Sequence, residues 1–277
     1  MLPNFIIVGS AKSATSSLAQ RLSEHPDAFI CSPKEPNFFS THWDKGLPWY
    51  ESLFASSEAY QAIGEASVGY TYFPHNSNVP KRIHETLGDI RYVYLVRNPI
   101  QRIISHLHML KRNRRAGRGM TLQQAERAHP FIFQASYYHY QLEQYAPYTK
   151  PEQWLVVCME ELIQDPVSIL NRIYRFLGIS ETLRDQMPKK NLAESHLPEP
   201  PFFSRSMLRT HLKPLIPKRL NDWGRLMLDS IHRPVERPMI SRAYETELYR
   251  RYEPDMIKLG KFCQRDFRKI WIPHEVS

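Results

Sequence analysis

Gly9 and Lys12 close an apolar run near the start of the chain, in Phe5-Ile-Ile-Val-Gly-Ser-Ala-Lys-Ser-Ala-Thr-Ser-Ser-Leu18. Phe5 to Val8 reads as a short buried strand that Gly9 breaks, and a helical pattern runs over 16–24. Between them lie only small residues and one lysine. A strand, a small-residue loop and a helix start point free N–H groups and the positive helix end at one spot, which suits an anion. Lys12 adds a mobile charge. The chemistry implied is the binding of a phosphate or sulfate ester. The common nucleotide-triphosphate loop needs G-x-x-x-x-G-K-[ST], and no Gly-Lys pair occurs in this loop.

Two further groups of residues have suitable types and spacing. In Tyr92-Val-Tyr-Leu-Val-Arg-Asn-Pro-Ile-Gln-Arg-Ile-Ile-Ser105, a β-branched and aromatic strand ends at Arg97. Asn98 can cap the next helix, and Pro99 fits its first position. A strand-end guanidinium and the Ser105 hydroxyl could clasp one phosphate, although a surface arginine and an ordinary helix serine give the same letters. In Ser32-Pro-Lys-Glu-Pro-Asn-Phe-Phe39, Pro33 and Pro36 stiffen the chain around Glu35, as positioning a carboxylate requires. The plain alternative is a solvated loop with a Phe38–Phe39 anchor.

The elements that must hold these residues alternate. Strands are expected at 5–8, 28–30, 62–65, 91–96 and 154–159. Helices are expected at 16–24, 78–87, 99–112, 122–127, 134–145 and 167–177. Such alternation predicts a three-layer α/β fold, a central parallel sheet flanked by helices, with ligands at the carboxyl ends of the strands. A single domain over 1–277 is expected. Its parts are an α/β core at 1–178, a proline-interrupted lid or insertion at 179–240, and C-terminal helices at 241–277, where Pro254 breaks the run or opens a second helix.

The order Lys12-Ser13-Ala14-Thr15-Ser16 resembles the 5′-phosphosulfate loop of sulfotransferases that use 3′-phosphoadenosine-5′-phosphosulfate (PAPS). Ala14 stands where that family has glycine, and Ser16 where it has a second threonine. Arg97 and Ser105 match the family's 3′-phosphate pair, an arginine and a serine eight residues later. The Lys34-Glu35-Pro36 run resembles the K-E-P-x-F-F element of the carbohydrate branch, with Asn37 where a histidine often stands. Gly64-Glu-Ala-Ser-Val-Gly-Tyr70 is similar to the E-x-[ST]-P-x-Y turn lining the acceptor cleft, with Val68 for proline and Ala66 for a lysine seen in some members. Further matches run to about Gly178 and resume over 248–271.

The resemblance implies a P-loop-like sulfotransferase fold and in-line transfer of a sulfuryl group from PAPS to a hydroxyl or amine, leaving 3′-phosphoadenosine-5′-phosphate (PAP). It assigns Lys12 to the leaving group and Glu35 as base. Lys12, Ser13, Ala14, Thr15 and Ser16 hold the 5′-phosphosulfate, and Arg97 and Ser105 the 3′-phosphate. Glu65 and Tyr70 are candidate acceptor contacts, and Lys189, Lys190 and Asn191 candidate cofactor contacts. His42, His75 and Glu65 are the alternative bases.

The remaining features narrow the choice. A net charge of +9 asks for an anionic partner. A polyanionic cofactor accounts for part of it, and no zinc spacing or helix-turn-helix signal supports nucleic acid. The expected partner is therefore a small-molecule or carbohydrate acceptor. No eighteen-residue apolar run predicts a membrane span. The absence of a signal-peptide pattern and three sparse cysteines, Cys31, Cys158 and Cys263, lead to the expectation of a cytoplasmic protein. His106 and His108 lie two apart on a helix, facing different ways, so no metal is expected. The basic run from Lys111 to Arg118 reads as a solvated loop, or as a rim attracting an anionic acceptor. The rival readings are a P-loop-like kinase, which lacks its Gly-Lys-[ST], and a non-catalytic nucleotide- or nucleic-acid-binding protein.

Overall fold

The computed structural model describes residues 1–181 and 235–272. By its contacts the chain divides into residues 1–189 with 237–277, and residues 190–236. The sheet and its helices belong to the first unit. Lys189, Lys190, Asn191 and most of the expected insertion lie outside the described residues.

Five strands, β1 (Phe5–Gly9), β2 (Ala28–Ile30), β3 (Ala62–Ala66), β4 (Arg91–Val96) and β5 (Trp154–Cys158), form one sheet in the order β2-β3-β1-β4-β5. Every pairing is parallel. The strands are continuous apolar runs because both sheet faces are covered. Alternation along them separates two cores. Ile6, Val8, Tyr92, Tyr94, Val96 and Val156 point to one, and Phe5, Ile7, Val93, Leu95, Leu155 and Val157 to the other.

Helices α1 (Thr15–Ser23) and α9 (Pro166–Leu177) cover the second face through Leu18, Leu22, Leu170, Ile173 and Tyr174. The first face takes α3 (Val79–Leu87), α4 (Pro99–Arg112), α6 (Pro130–Gln134), α7 (Tyr138–Glu143) and α10 (Arg242–Cys263). The remaining described helices are α2 (Gly46–Ser52), α5 (Leu122–Ala128), α8 (Met159–Gln164) and α11 (Phe267–Trp271). The chain leaves β1 for β2 and β3 on one side, then crosses to β4 and β5 on the other. The carboxyl ends of β1 and β4 therefore flank the switch point where α/β sheets bind ligands.

Two expected elements differ. The helix expected over 134–145 is two helices, α6 and α7, because Pro130 starts a turn early and the chain opens at Ser136, whose hydroxyl turns to a buried arginine. Pro254 neither breaks nor starts a helix: α10 runs through it. Its neighbours Tyr249, Tyr252 and Met256 are buried, and Asp255 accepts the N–H groups of His139 and Tyr140 at 3.0 and 2.9 Å. Packing and this external cap offset the bond that proline removes.

Candidate active site

The loop after β1 is held by sterics and by neighbouring strands. A Cβ at Gly9 would stand 2.2 Å from Thr71 Oγ1, so only glycine lets β1 end there. Ser10 N donates to the Leu95 carbonyl at 2.7 Å, and the Ser10 and Ser13 hydroxyls bond each other at 2.7 Å. Lys12 and Ala14 both have positive φ, 73° and 66°. The Ala14 value explains the family's glycine, since the left-handed region is unfavourable for an ordinary residue and free of strain for glycine. Ala14 is the N-cap of α1 and offers no side-chain hydrogen bond. The first N–H groups of α1 are thus left for an external acceptor. Of the residues expected to line this cradle, Ser13 and Thr15 are buried and Ser16 is exposed.

Positive charge collects around the loop. Arg97, half-buried at the end of β4, donates from Nη1 to the Lys12 carbonyl at 3.1 Å. Its backbone is fixed by Tyr138, whose hydroxyl donates to the Arg97 carbonyl at 2.6 Å. Asn98 caps α4 by accepting from Ile100 N and Gln101 N, and its own N–H goes to Glu160 Oε1 at 2.9 Å. Burial lowers the Lys12 ammonium from its usual range, and the charges of Arg97 and Arg112 lower it further. At Arg97 the charge of Glu160 offsets part of the effect of burial.

Ser105 sits half-buried two turns into α4 and makes no hydrogen bond to Arg97. The basic run divides. Lys111 is buried and Arg112 half-buried at the end of α4, whereas Arg114, Arg115 and Arg118 are exposed.

Arg102, which no sequence motif marks, is fully buried in α4. It donates to Ser136 Oγ at 2.8 Å, to the Ala11 carbonyl at 3.4 Å and to the Ile132 carbonyl. Its Nη1 lies 3.4 Å from His106 Nδ1. Burial and the Arg102 charge hold the His106 imidazole well below its usual range, so Nδ1 accepts. His106 therefore serves Arg102. Among the described residues no group of three His, Cys, Asp or Glu is placed to hold a metal.

Glu35 lies beyond the end of β2, beside the loop. Lys34 Nζ donates to Glu35 Oε1 at 3.1 Å and to Ser16 Oγ at 3.2 Å, bridging the carboxylate to the start of α1. Phe38 stacks on Tyr50 at 4.4 Å, and Phe39 packs edge-on against Tyr50 and Tyr70. Asn37 has φ 49°, a conformation asparagine adopts more readily than most residues. His42 faces the Pro36 carbonyl at 2.7 Å, and His75 packs edge-on near Phe131.

Glu65 and Tyr70 are both buried, and Glu65 has no exposed surface. The carboxylate accepts three hydroxyls: Tyr50 at 2.7 Å, Tyr70 at 2.9 Å and Ser67 at 2.6 Å.

A parallel sheet with an uncapped helix start, a lysine and an arginine at its switch point defines an α/β protein with a basic site of a kind that suits an anion. The family model for the sulfotransferase domain matches residues 2–213, so the chain belongs to that family. The human heparan sulfate glucosamine 3-O-sulfotransferase 3B1 is 30% identical over 199 residues, 67% of this chain and 48% of that protein. The membrane-associated sulfotransferase kil1 of Dictyostelium discoideum is 35% identical over 120 residues, 41% of this chain and 25% of that protein. The chain thus spans half or less of these relatives. A sulfotransferase crystal structure from Alicyclobacillus acidocaldarius superposes with a TM-score of 0.68 at 24% identity, covering 96% of this chain and 97% of that one, which shows the fold. No described helix is long and apolar enough to cross a membrane.

Proposed function

We propose that the protein transfers a sulfuryl group from PAPS to a hydroxyl or amine of an acceptor. One observation carries this reading. Lys12 and Arg97 are partly buried cations whose charges oppose each other beside a helix start that no side chain caps. A multiply charged anionic ester relieves that repulsion, and the family membership supplies its class. PAPS supplies an activated sulfur–oxygen bond and two phosphate groups.

In this reading the N–H groups of Ala14, Thr15 and Ser16 hold the 5′-phosphosulfate beside Ser13, whose own N–H turns to the Ser10 carbonyl at 3.3 Å, and Arg97 with Ser105 holds the 3′-phosphate. Glu35 takes the proton from the acceptor as the acceptor's oxygen or nitrogen bonds to sulfur. The bond from sulfur to the 5′-phosphate oxygen breaks, and Lys12 neutralises the charge left on that oxygen. Arg102 ties α4, which carries Ser105, to the Ala11 carbonyl in the phosphate loop. The named substrate of the human relative, a heparan sulfate glucosamine, makes a carbohydrate hydroxyl the acceptor class to screen first. Cys31, Cys158 and Cys263 are free thiols, which fits a reducing compartment such as the cytoplasm.

The test is release of PAP from PAPS with carbohydrate acceptors, beside the Glu35→Gln variant. Turnover by the wild type and little by the variant supports the reading. Equal turnover by both moves the base elsewhere.

A further inference from the structure

We propose that Glu65 is a positioning residue for the segment that carries Glu35, acting through the hydroxyls of Ser67 and Tyr70. The observation is a relay whose proton directions are forced. The N–H of Asn37 points at Ser67 Oγ at 3.0 Å, and the N–H of Phe39 at Tyr70 Oη at 3.3 Å. A backbone N–H can only donate, so both hydroxyl oxygens accept. Each hydroxyl hydrogen must then go elsewhere, and each goes to the same carboxylate: Ser67 to Oε2 at 2.6 Å and Tyr70 to Oε1 at 2.9 Å. Tyr50 supplies a third donor to Oε1 at 2.7 Å.

Ionised, as it is above about pH 7, the carboxylate accepts all three without donating, and protonation would turn one of its oxygens into a donor. The carboxylate therefore fixes the orientation of two hydroxyls, and through them the backbone at two points just after Glu35. The chain between those points is further tied, since the Asn37 carbonyl accepts from Ser40 N and His42 N at 3.2 and 3.1 Å. Glu65, Ser67 and Tyr70 are buried beside the packed rings of Phe38, Phe39 and Tyr50. Full burial of a carboxylate is costly unless such donors satisfy it. Tyr50, in α2, belongs to the same device, and links that helix to the segment carrying Glu35.

Glu65 thus has no exposed atom for an acceptor, and its effect on catalysis runs through Glu35. The catalytic part of this inference rests on the proposed sulfuryl transfer, whereas the relay itself does not. The test uses the full chain with Glu65→Gln and Ser67→Ala. A glutamine presents an NH₂ that donates, so at least one hydroxyl hydrogen loses its acceptor; the hydroxyls reorient, and the N–H bonds of Asn37 and Phe39 weaken. Removal of the Ser67 hydroxyl frees Asn37 alone.

Local hydrogen exchange is read first. In Glu65→Gln the amides of Asn37 and Phe39 exchange faster by on the order of 10-fold or more, with β1 and β4 unchanged. In Ser67→Ala only Asn37 does. Turnover is then read with PAPS and a heparan-type glucosamine oligosaccharide as the acceptor probe. The expected result is a loss in kcat on the order of 10- to 100-fold, with KM for PAPS and binding of PAP unchanged. Unchanged exchange at Asn37 and Phe39, or a rise in KM for PAPS at constant kcat, overturns the proposal. If Glu65→Gln does not fold, Ser67→Ala decides by the same readings. A wild type that neither binds PAP nor turns over defeats the transferase reading, while the exchange result still decides the relay.

Discussion

Arg97 Nη1 donates to the carbonyl of Lys12 at 3.1 Å, across 85 residues of sequence. Together with the Ser10 N–Leu95 bond, this bond joins the end of β4 to the loop after β1, and so joins the two halves of the proposed cofactor site. It also brings two cations together, a repulsion that a bound anion offsets.

Removal of the Lys12 charge should therefore act on turnover more than on binding. For Lys12→Ala we expect kcat to fall by about 10² or more, with a modest loss of PAP affinity, because the charge it answers develops as the bond breaks. Steady-state kinetics beside PAP titration checks this. Near-normal kcat would remove Lys12 from the leaving-group role.

Ala14 carries a strain that glycine would not. For Ala14→Gly we expect a gain of up to about 1 kcal/mol, the left-handed cost less the greater backbone entropy of glycine in the unfolded chain. Chemical denaturation measures it. A loss of stability would mean that φ 66° at this residue is not a burden.

Arg97→Ala should weaken PAP binding on the order of 10- to 100-fold, the worth of a charged hydrogen bond, while AMP, which lacks the 3′-phosphate, is affected less. Titration calorimetry with both ligands reads the difference. Equal losses for the two would detach Arg97 from the 3′-phosphate.

Glu65 should make stability depend on pH. Burial pushes its carboxyl up to about 7 from an ordinary 4.5; the hydroxyls of Ser67, Tyr50 and Tyr70 pull it down, and the charge of Glu35 raises it. Cys31 and Tyr145 also face it electrostatically. The folded chain then keeps a proton that the unfolded chain has released. The contribution to stability is full below about pH 4.5 and is lost as pH rises through 7, by about 3 kcal/mol. Unfolding free energies at about pH 5 and about pH 8 should show this fall in the wild type and not in Glu65→Gln. Equal pH slopes in both proteins would contradict it.

Much of this was readable in the sequence, for physical reasons. Apolar runs such as Phe5–Val8 and Tyr92–Val96 end where a small or charged residue must leave the sheet, so strand ends and the residues on them could be found together. Asn98 and Pro99 announce a helix start by their own chemistry, and the structure has it there. What could not be read depends on distant partners. Arg102 looks like any helix arginine, since Ser136, which receives it, lies 34 residues on. Glu65 looks like a cleft residue until Tyr50 and Tyr70 close over it. Glu160, which holds Asn98, sits after a strand whose neighbour is known only once the sheet is ordered. The split between α6 and α7 follows from the same buried arginine.

The most direct test is thermal stability with adenosine 3′,5′-bisphosphate, against ATP and AMP at equal concentration. A ligand at 100 times its Kd adds about 2.7 kcal/mol. A site built for PAPS should give a large upward shift with the bisphosphate and a small one with AMP or ATP. A shift with ATP alone, or none with the bisphosphate, would contradict it.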